Sequence, residues 1–164
     1  MDLLDRLLGH DAWTTRQLLE RSAPLTDAQL DQEFDIAHRT VRATLLHIIW
    51  NMEAWSDAIS GKPLRPNRNR EPEARTISGL RARLDGAAAD LAAVARPIAA
   101  RKAWDERWPV LDSPPKDHSY GGAIAHVITH SMHHRAQLLY MLKKLGVEGL
   151  PEGDVLSWEE AHGG

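Results

Sequence analysis

The sequence predicts an all-α protein, a four-helix bundle with long loops and a short C-terminal tail. Three observations predict it. Apolar residues recur at intervals of three and four over four long segments. No run alternates β-branched and aromatic residues with polar ones, as a half-buried strand would. Proline, glycine and short polar residues separate the four segments. A chain of 164 residues has the usual size of one domain and buries a core without staples. No repeat or internal boundary divides 1–164.

The first helix is expected over Leu3 to Arg21. Leu3, Leu4, Leu7, Leu8, Trp13, Leu18 and Leu19 form its apolar face, and "APLT" ends it at Pro24. Thr26 then caps a short turn, "DAQLDQEF". The second helix opens near Thr40, with Val41, Leu45, Ile48, Ile49, Met52, Trp55 and Ile59 on one face. "SGKP" stops it. A polar loop rich in Pro and Arg, from Lys62 to Arg75, has no composition for regular structure. The third helix opens at Thr76 or Ser78 and carries Leu80, Leu84, Leu91 and Val94. Pro97 should end or kink it. Lys102 to Ser119, with Pro109, Pro114 and Pro115, is expected to be irregular. Ser119 caps the fourth helix, from Tyr120 to Leu145, which Gly146 ends. The tail holds one short turn around Ser157 to Ala161.

Composition narrows the function classes. The chain has no cysteine, which excludes disulfides, thiolate zinc sites and a cysteine nucleophile. The net charge is −3, and the one basic stretch, "RPNRNR", is short and broken. Nucleic-acid binding has little electrostatic support. "MDLLDRLLGHDAW" carries acids where a signal peptide needs basic residues and an apolar run. No segment approaches a membrane span. These features fit a cytoplasmic protein with neither nucleic-acid nor membrane partners.

The chemistry is concentrated in "AHVITHSMHHRAQ", Ala125 to Gln137. It holds His126, His130, His133 and His134, four of nine histidines. On a helix, residues four apart are rotated by about 40° and separated by about 6 Å, so two imidazoles at that spacing can converge on one ion. His126 with His130, His130 with His133, and His130 with His134 all qualify by spacing. Ile124, Val127, Ile128, Leu138, Leu139 and Leu142 mark the core side. His130 and His134 lie beside that side, whereas His133, about 100° from His134, turns toward solvent. His126 continues the row one turn back, as a supporting group or an alternative ligand. A catalytic metal takes three protein ligands and keeps an open position. The best third candidate is His47, in the interior of "TLLHIIWNMEAW", where a buried imidazole must find a partner.

Other residues read as helpers. Asn51, one turn after His47, would orient a ligand or touch substrate. Arg135 would bind a carboxylate, although a surface or interface charge is the simpler reading. Glu53 and Asp57 read as members of a solvated face. Trp13, Trp50 and Trp55 read as core, or as pocket walls. His10, His38, His118 and His162 read as ordinary surface or loop residues. His10 carries slightly more weight, because the first helix can reach the same end of the bundle. No Ser-His-Asp arrangement, phosphate-binding loop or Glu-x-x-His pair is present.

With these residues in view, "LLHIIWNMEAW" and "HVITHSMHHRAQ" resemble the DinB/YfiT-like superfamily of metal-binding four-helix bundles. The likeness extends over nearly the whole chain, including "DAWTTRQLLE" and "GDVLSW". Ala136 stands where the family often has glycine, a change that leaves the ligands untouched. The resemblance implies a divalent metal, zinc or nickel foremost, held by His47, His130 and His134. It implies a homodimer acting on a small-molecule substrate. Members include enzymes that use a low-molecular-weight thiol such as bacillithiol or mycothiol. The activity implied is metal-dependent activation of that thiol, or less readily of water, for transfer to a small electrophile. The alternative is a non-catalytic metal-binding or stress-response bundle.

Overall fold

The computed structural model describes residues 1–110 and 116–163. Among them, helices α1 (Leu3–Ser22), α3 (Val41–Ile59), α4 (Ile77–Ala100) and α5 (Tyr120–Lys144) form the bundle. A four-residue helix, α2 (Asp27–Leu30), follows α1, and α6 (Val155–His162) closes the described chain. Each long helix starts at a side-chain cap: Asp2, Thr40, Thr76 and Ser119 each accept a backbone N–H three residues on. Thr26 and Gln29 build a reciprocal capping box on α2.

The packing is a closed ring. α1 touches α4 and α5, and α3 touches the same two, so α3 and α5 are neighbours along one wall. Leu18, Leu19, Leu45, Ile48, Ile49, Met52, Leu80, Leu84, Leu91, Leu138, Met141 and Leu142 are fully buried between them. Each such side chain contributes about 1.5–3 kcal/mol, which holds the α3–α5 wall rigid enough to present side chains at fixed separations.

Four expectations need correction. First, Lys102 to Ser119 is not wholly irregular. Arg107–Val110 (β1) and Lys116–Ser119 (β2) pair antiparallel, with Trp108 opposite His118. Strands of four residues are too short to show alternation, and Pro109 hides the first. A two-stranded ribbon tolerates that proline because both its strands are edges. Trp108 stacks on Tyr120 at 4.9 Å, which ties the ribbon to the start of α5. Pro114 and Pro115 lie outside the described residues. Second, α4 runs through Pro97 to Ala100. The proline sits in the last turn, where it removes a single helical bond, and buried Ile98 anchors that turn to the core. Third, the Lys62 to Arg75 loop ends in one 3₁₀ turn, Glu73–Arg75. Fourth, the tail turn is a two-turn helix capped by Asp154.

That tail helix, α6, packs on α1. Trp158 sits so close to Gly9 that a Cβ there would lie 2.5 Å from its ring. Glycine inside a helix costs about 1 kcal/mol relative to alanine, and here it makes room for the indole. Arg6 and Glu159 pair across the same contact at 2.9 Å. No helix of the described residues is long and apolar enough to cross a membrane.

Candidate metal centre

Four imidazoles meet where α3, α5 and the loop before α3 converge. His47 comes from α3, His130 and His134 come from α5, and His38 comes from the loop. His130 Nε2 lies 3.3 Å from His47 Nε2 and 3.3 Å from His134 Nε2. His38, His47 and His134 each offer a ligand atom within 4.8 Å of the other two, a group that could hold a metal ion. The ring of His38 lies 3.8 Å from that of His47 and 4.9 Å from that of His134.

The nitrogens cannot satisfy one another by hydrogen bonds. His134 Nδ1 is 2.7 Å from Gln137 Oε1. An amide oxygen only accepts, so Nδ1 carries the proton and Nε2 of His134 presents a lone pair. His130 has at most one proton to offer two neighbouring Nε2 atoms, and its own Nδ1 is buried with no hydrogen-bond partner. At least one lone pair therefore stays unpaired in a half-buried place, which proteins avoid. A divalent ion accepts several lone pairs at once. Donors about 2.0–2.1 Å from a tetrahedral ion stand about 3.3–3.4 Å apart, the spacing His130 keeps to both neighbours.

Electrostatics keep the donors deprotonated. Burial, then the neighbouring His38, His134 and His130, lowers the His47 pKa to about 4. Burial, then His134, His126, His133 and His38, lowers His130 to about 4. His38 is lowered by burial and by His134. His134 is lowered chiefly by burial, against the opposing hydrogen bond to Gln137. Neutral imidazole is the form that binds metal, and the cluster is neutral at pH 7.

Gln137 is a functional group that the spacing arguments missed. Its Oε1 takes the His134 Nδ1 proton, and its Nε2 donates to His133 Nε2 at 2.9 Å. The residue thus holds His134 in the tautomer whose Nε2 faces His47 and His130, the role that supporting partners play around metal ligands. The signal was present as a third helical neighbour of His134. His133 faces outward and is exposed, as its position on the helix predicts.

A matching family model spans residues 1–160 and is that of the DinB family. The chain belongs to the DinB family. A search of the curated proteins finds no match. For this DinB protein the geometry then assigns places to the remaining candidates.

His126 is exposed, with its ring 5.2 Å from that of His130 and 5.2 Å from that of Trp55. His118, on β2, lies 6.2 Å from Trp55. These three rings form a flank beside His130. Asn51 is on α3 one turn beyond His47, and its Nδ2 is buried without a partner. His10 is buried on α1, and its Nε2–H donates to the Gly153 carbonyl at 2.9 Å, so it locks the tail to α1. His38, expected as an ordinary loop residue, belongs to the histidine cluster instead.

Arg135 is not a surface charge. It is 2% exposed and points to α1, where its Nη1 donates to the Asp11 carboxylate and, at 3.0 Å, to Ser131 Oγ. Glu53 and Asp57 are not on a solvated face either. Glu53 is gripped by Arg83 of α4 at 2.6 Å, and Asp57 by Arg65 at 2.6 Å. Long arginines from α4 and from the loop before it cover carboxylates that α3 alone would expose. Two cavities of about 400 and 430 Å³ open elsewhere, one beside Glu53 and Arg83 and one beside Leu7 and Trp104. Neither is lined by a histidine.

Proposed function

We propose that His47, His130 and His134 hold one divalent metal ion, and that the protein uses it to activate a low-molecular-weight thiol for transfer to a small electrophile. The observation that carries the metal site is the pair of 3.3 Å Nε2–Nε2 separations at His130, each the spacing that two donors on one tetrahedral ion keep, beside the ligand atoms of His47 and His134 that lie within 4.8 Å of each other. Such an ion lowers the pKa of a coordinated thiol or water, so that the nucleophile exists deprotonated at neutral pH. The chain's own residues would do the rest. Gln137 fixes the His134 tautomer. The Trp55, His126 and His118 flank offers an aromatic wall for an apolar part of a substrate. The buried Asn51 amide has donors free to orient a polar one. A protein without cysteine would take its thiol from a small molecule such as bacillithiol or mycothiol. Zinc and nickel both suit an imidazole donor set.

The experiment is metal analysis of purified wild type and His134→Ala. Stoichiometric metal in the wild type and its loss in the variant are expected. Equal metal in both would sink the ligand assignment. Conjugation assays with several thiols and electrophiles then test the chemistry. A second reading, a bundle in which the ion is only structural, is favoured by His38, because a fourth imidazole can close the site to substrate. It predicts a large metal-dependent rise in melting temperature and no turnover on any electrophile.

A further inference from the structure

We propose that His38 is a fourth protein ligand of that ion in the resting protein, and the one that yields its place to an incoming small anion or thiol. The inference rests on the three-histidine site above and deepens it. Its first support is position: His38 offers a ligand atom within 4.8 Å of those of both His47 and His134.

Its second support is the backbone. Ala37 and Arg39, the two residues that flank His38, both have positive φ, 36° and 67°. Non-glycine residues enter this region rarely, and strained residues gather at functional sites. Here two stand on either side of one imidazole. The loop is closed tightly enough to hold them. The Phe34 N–H donates to the Arg39 carbonyl at 2.7 Å, and the Arg39 N–H to the Ile36 carbonyl at 2.7 Å. Just beyond the loop, buried Arg42 binds Asp31 at 2.8 Å and the Arg75 carbonyl at 2.8 Å. Phe34 and Ile36 rest on the core. The chain from 31 to 40 is therefore a short braced arch with His38 at its inner side.

The third support is a contrast of supports. His47, His130 and His134 are fixed by the rigid α3–α5 wall, whereas His38 stands on the loop before α3, outside that wall. A four-imidazole set closes a site, and a three-imidazole set leaves one position for substrate. His38 thus sets which of the two the ion experiences. The exchange is a plain ligand substitution: one nitrogen leaves the ion as one exogenous donor arrives.

The test uses cobalt(II) as the probe ion in wild type, His38→Ala, His38→Gln and His134→Ala. Visible absorption reads coordination, azide titration reads access, and X-ray absorption counts imidazoles. Wild type should show four imidazoles and the intense bands of a tetrahedral site. Both His38 variants should bind one cobalt with three imidazoles, and azide should shift their spectra at a concentration at least tenfold lower than in wild type. Identical spectra and azide responses in wild type and both His38 variants would overturn the role of His38 while leaving the metal site standing. No stoichiometric cobalt in the wild type would overturn both.

Discussion

Two adjacent residues of α5 bring polarity into the interior in opposite ways. His134 faces α3 and joins a cluster of neutral imidazoles. Arg135, about 100° further round the helix, faces α1 and meets the Asp11 carboxylate. The α1 face is matched in charge within the protein, although Arg135 Nε and Nη2 and Asp11 Oδ2 have no partners. The α3 face is matched only if something else arrives, because lone pairs cannot pair with lone pairs. A buried charge beside its counter-charge is neutralised within the chain, whereas several imidazole lone pairs converging on one place are matched only by a ligand that accepts them.

The comparison can be broken most severely at Arg135. Arg135→Met leaves a carboxylate buried without its counter-charge, at an expected cost of roughly 3–5 kcal/mol. Denaturant unfolding of metal-free protein measures this. The double variant Asp11→Leu/Arg135→Met should recover most of it, since replacing both partners of a buried pair is often neutral. A loss of stability seen only with metal present would show that the two faces are not separate.

His134→Ala comes next. Metal at a hundredfold excess over its Kd should stabilise the wild type by about 2.7 kcal/mol and the variant hardly at all, with similar metal-free stability in both. Thermal unfolding with and without zinc distinguishes them. Gln137→Leu should be milder. It removes only the acceptor that holds the His134 tautomer, so metal affinity should fall by roughly 10- to 100-fold, read by chelator competition. Unchanged affinity would mean that the tautomer is set without Gln137.

The last test is the effect of pH on the metal-free protein. His47 and His130 titrate near 4 in the folded state and near 6.5 when unfolded. Between those values the unfolded chain binds more protons. Stability is therefore complete above about pH 6.5 and declines as pH falls toward 4. His47→Gln should flatten part of that slope in urea midpoints taken across the range. An unchanged slope would show that His47 is not the group refusing the proton.

Much of this molecule was legible in one dimension. The four long helices, their starts near Thr40 and Ser119, and the shared face of His130 and His134 follow from residue spacing, while His47 stood out as an imidazole among apolar residues. The carboxylates on α3 did not. Glu53 and Asp57 read as solvated because nothing local announces that Arg83 and Arg65 will cover them. Arg135 read as exposed for the same reason. The β1–β2 ribbon escaped notice because four residues with a proline carry no alternation.

By itself, then, the sequence determined which residues share a helix face, because the 3.6-residue period acts within a turn or two of chain. It placed His130 and His134 on one side of α5 and His47 inside α3. The tertiary structure decided what those faces meet. It brought His47 to 3.3 Å from a residue 83 positions away, turned Arg135 onto Asp11, and folded a loop through two left-handed residues to lay His38 on the cluster. Contacts at such separations are set by packing of the whole core, and a strained loop has no propensity that announces it. That is why the helical histidines could be read from the chain, and His38 could not.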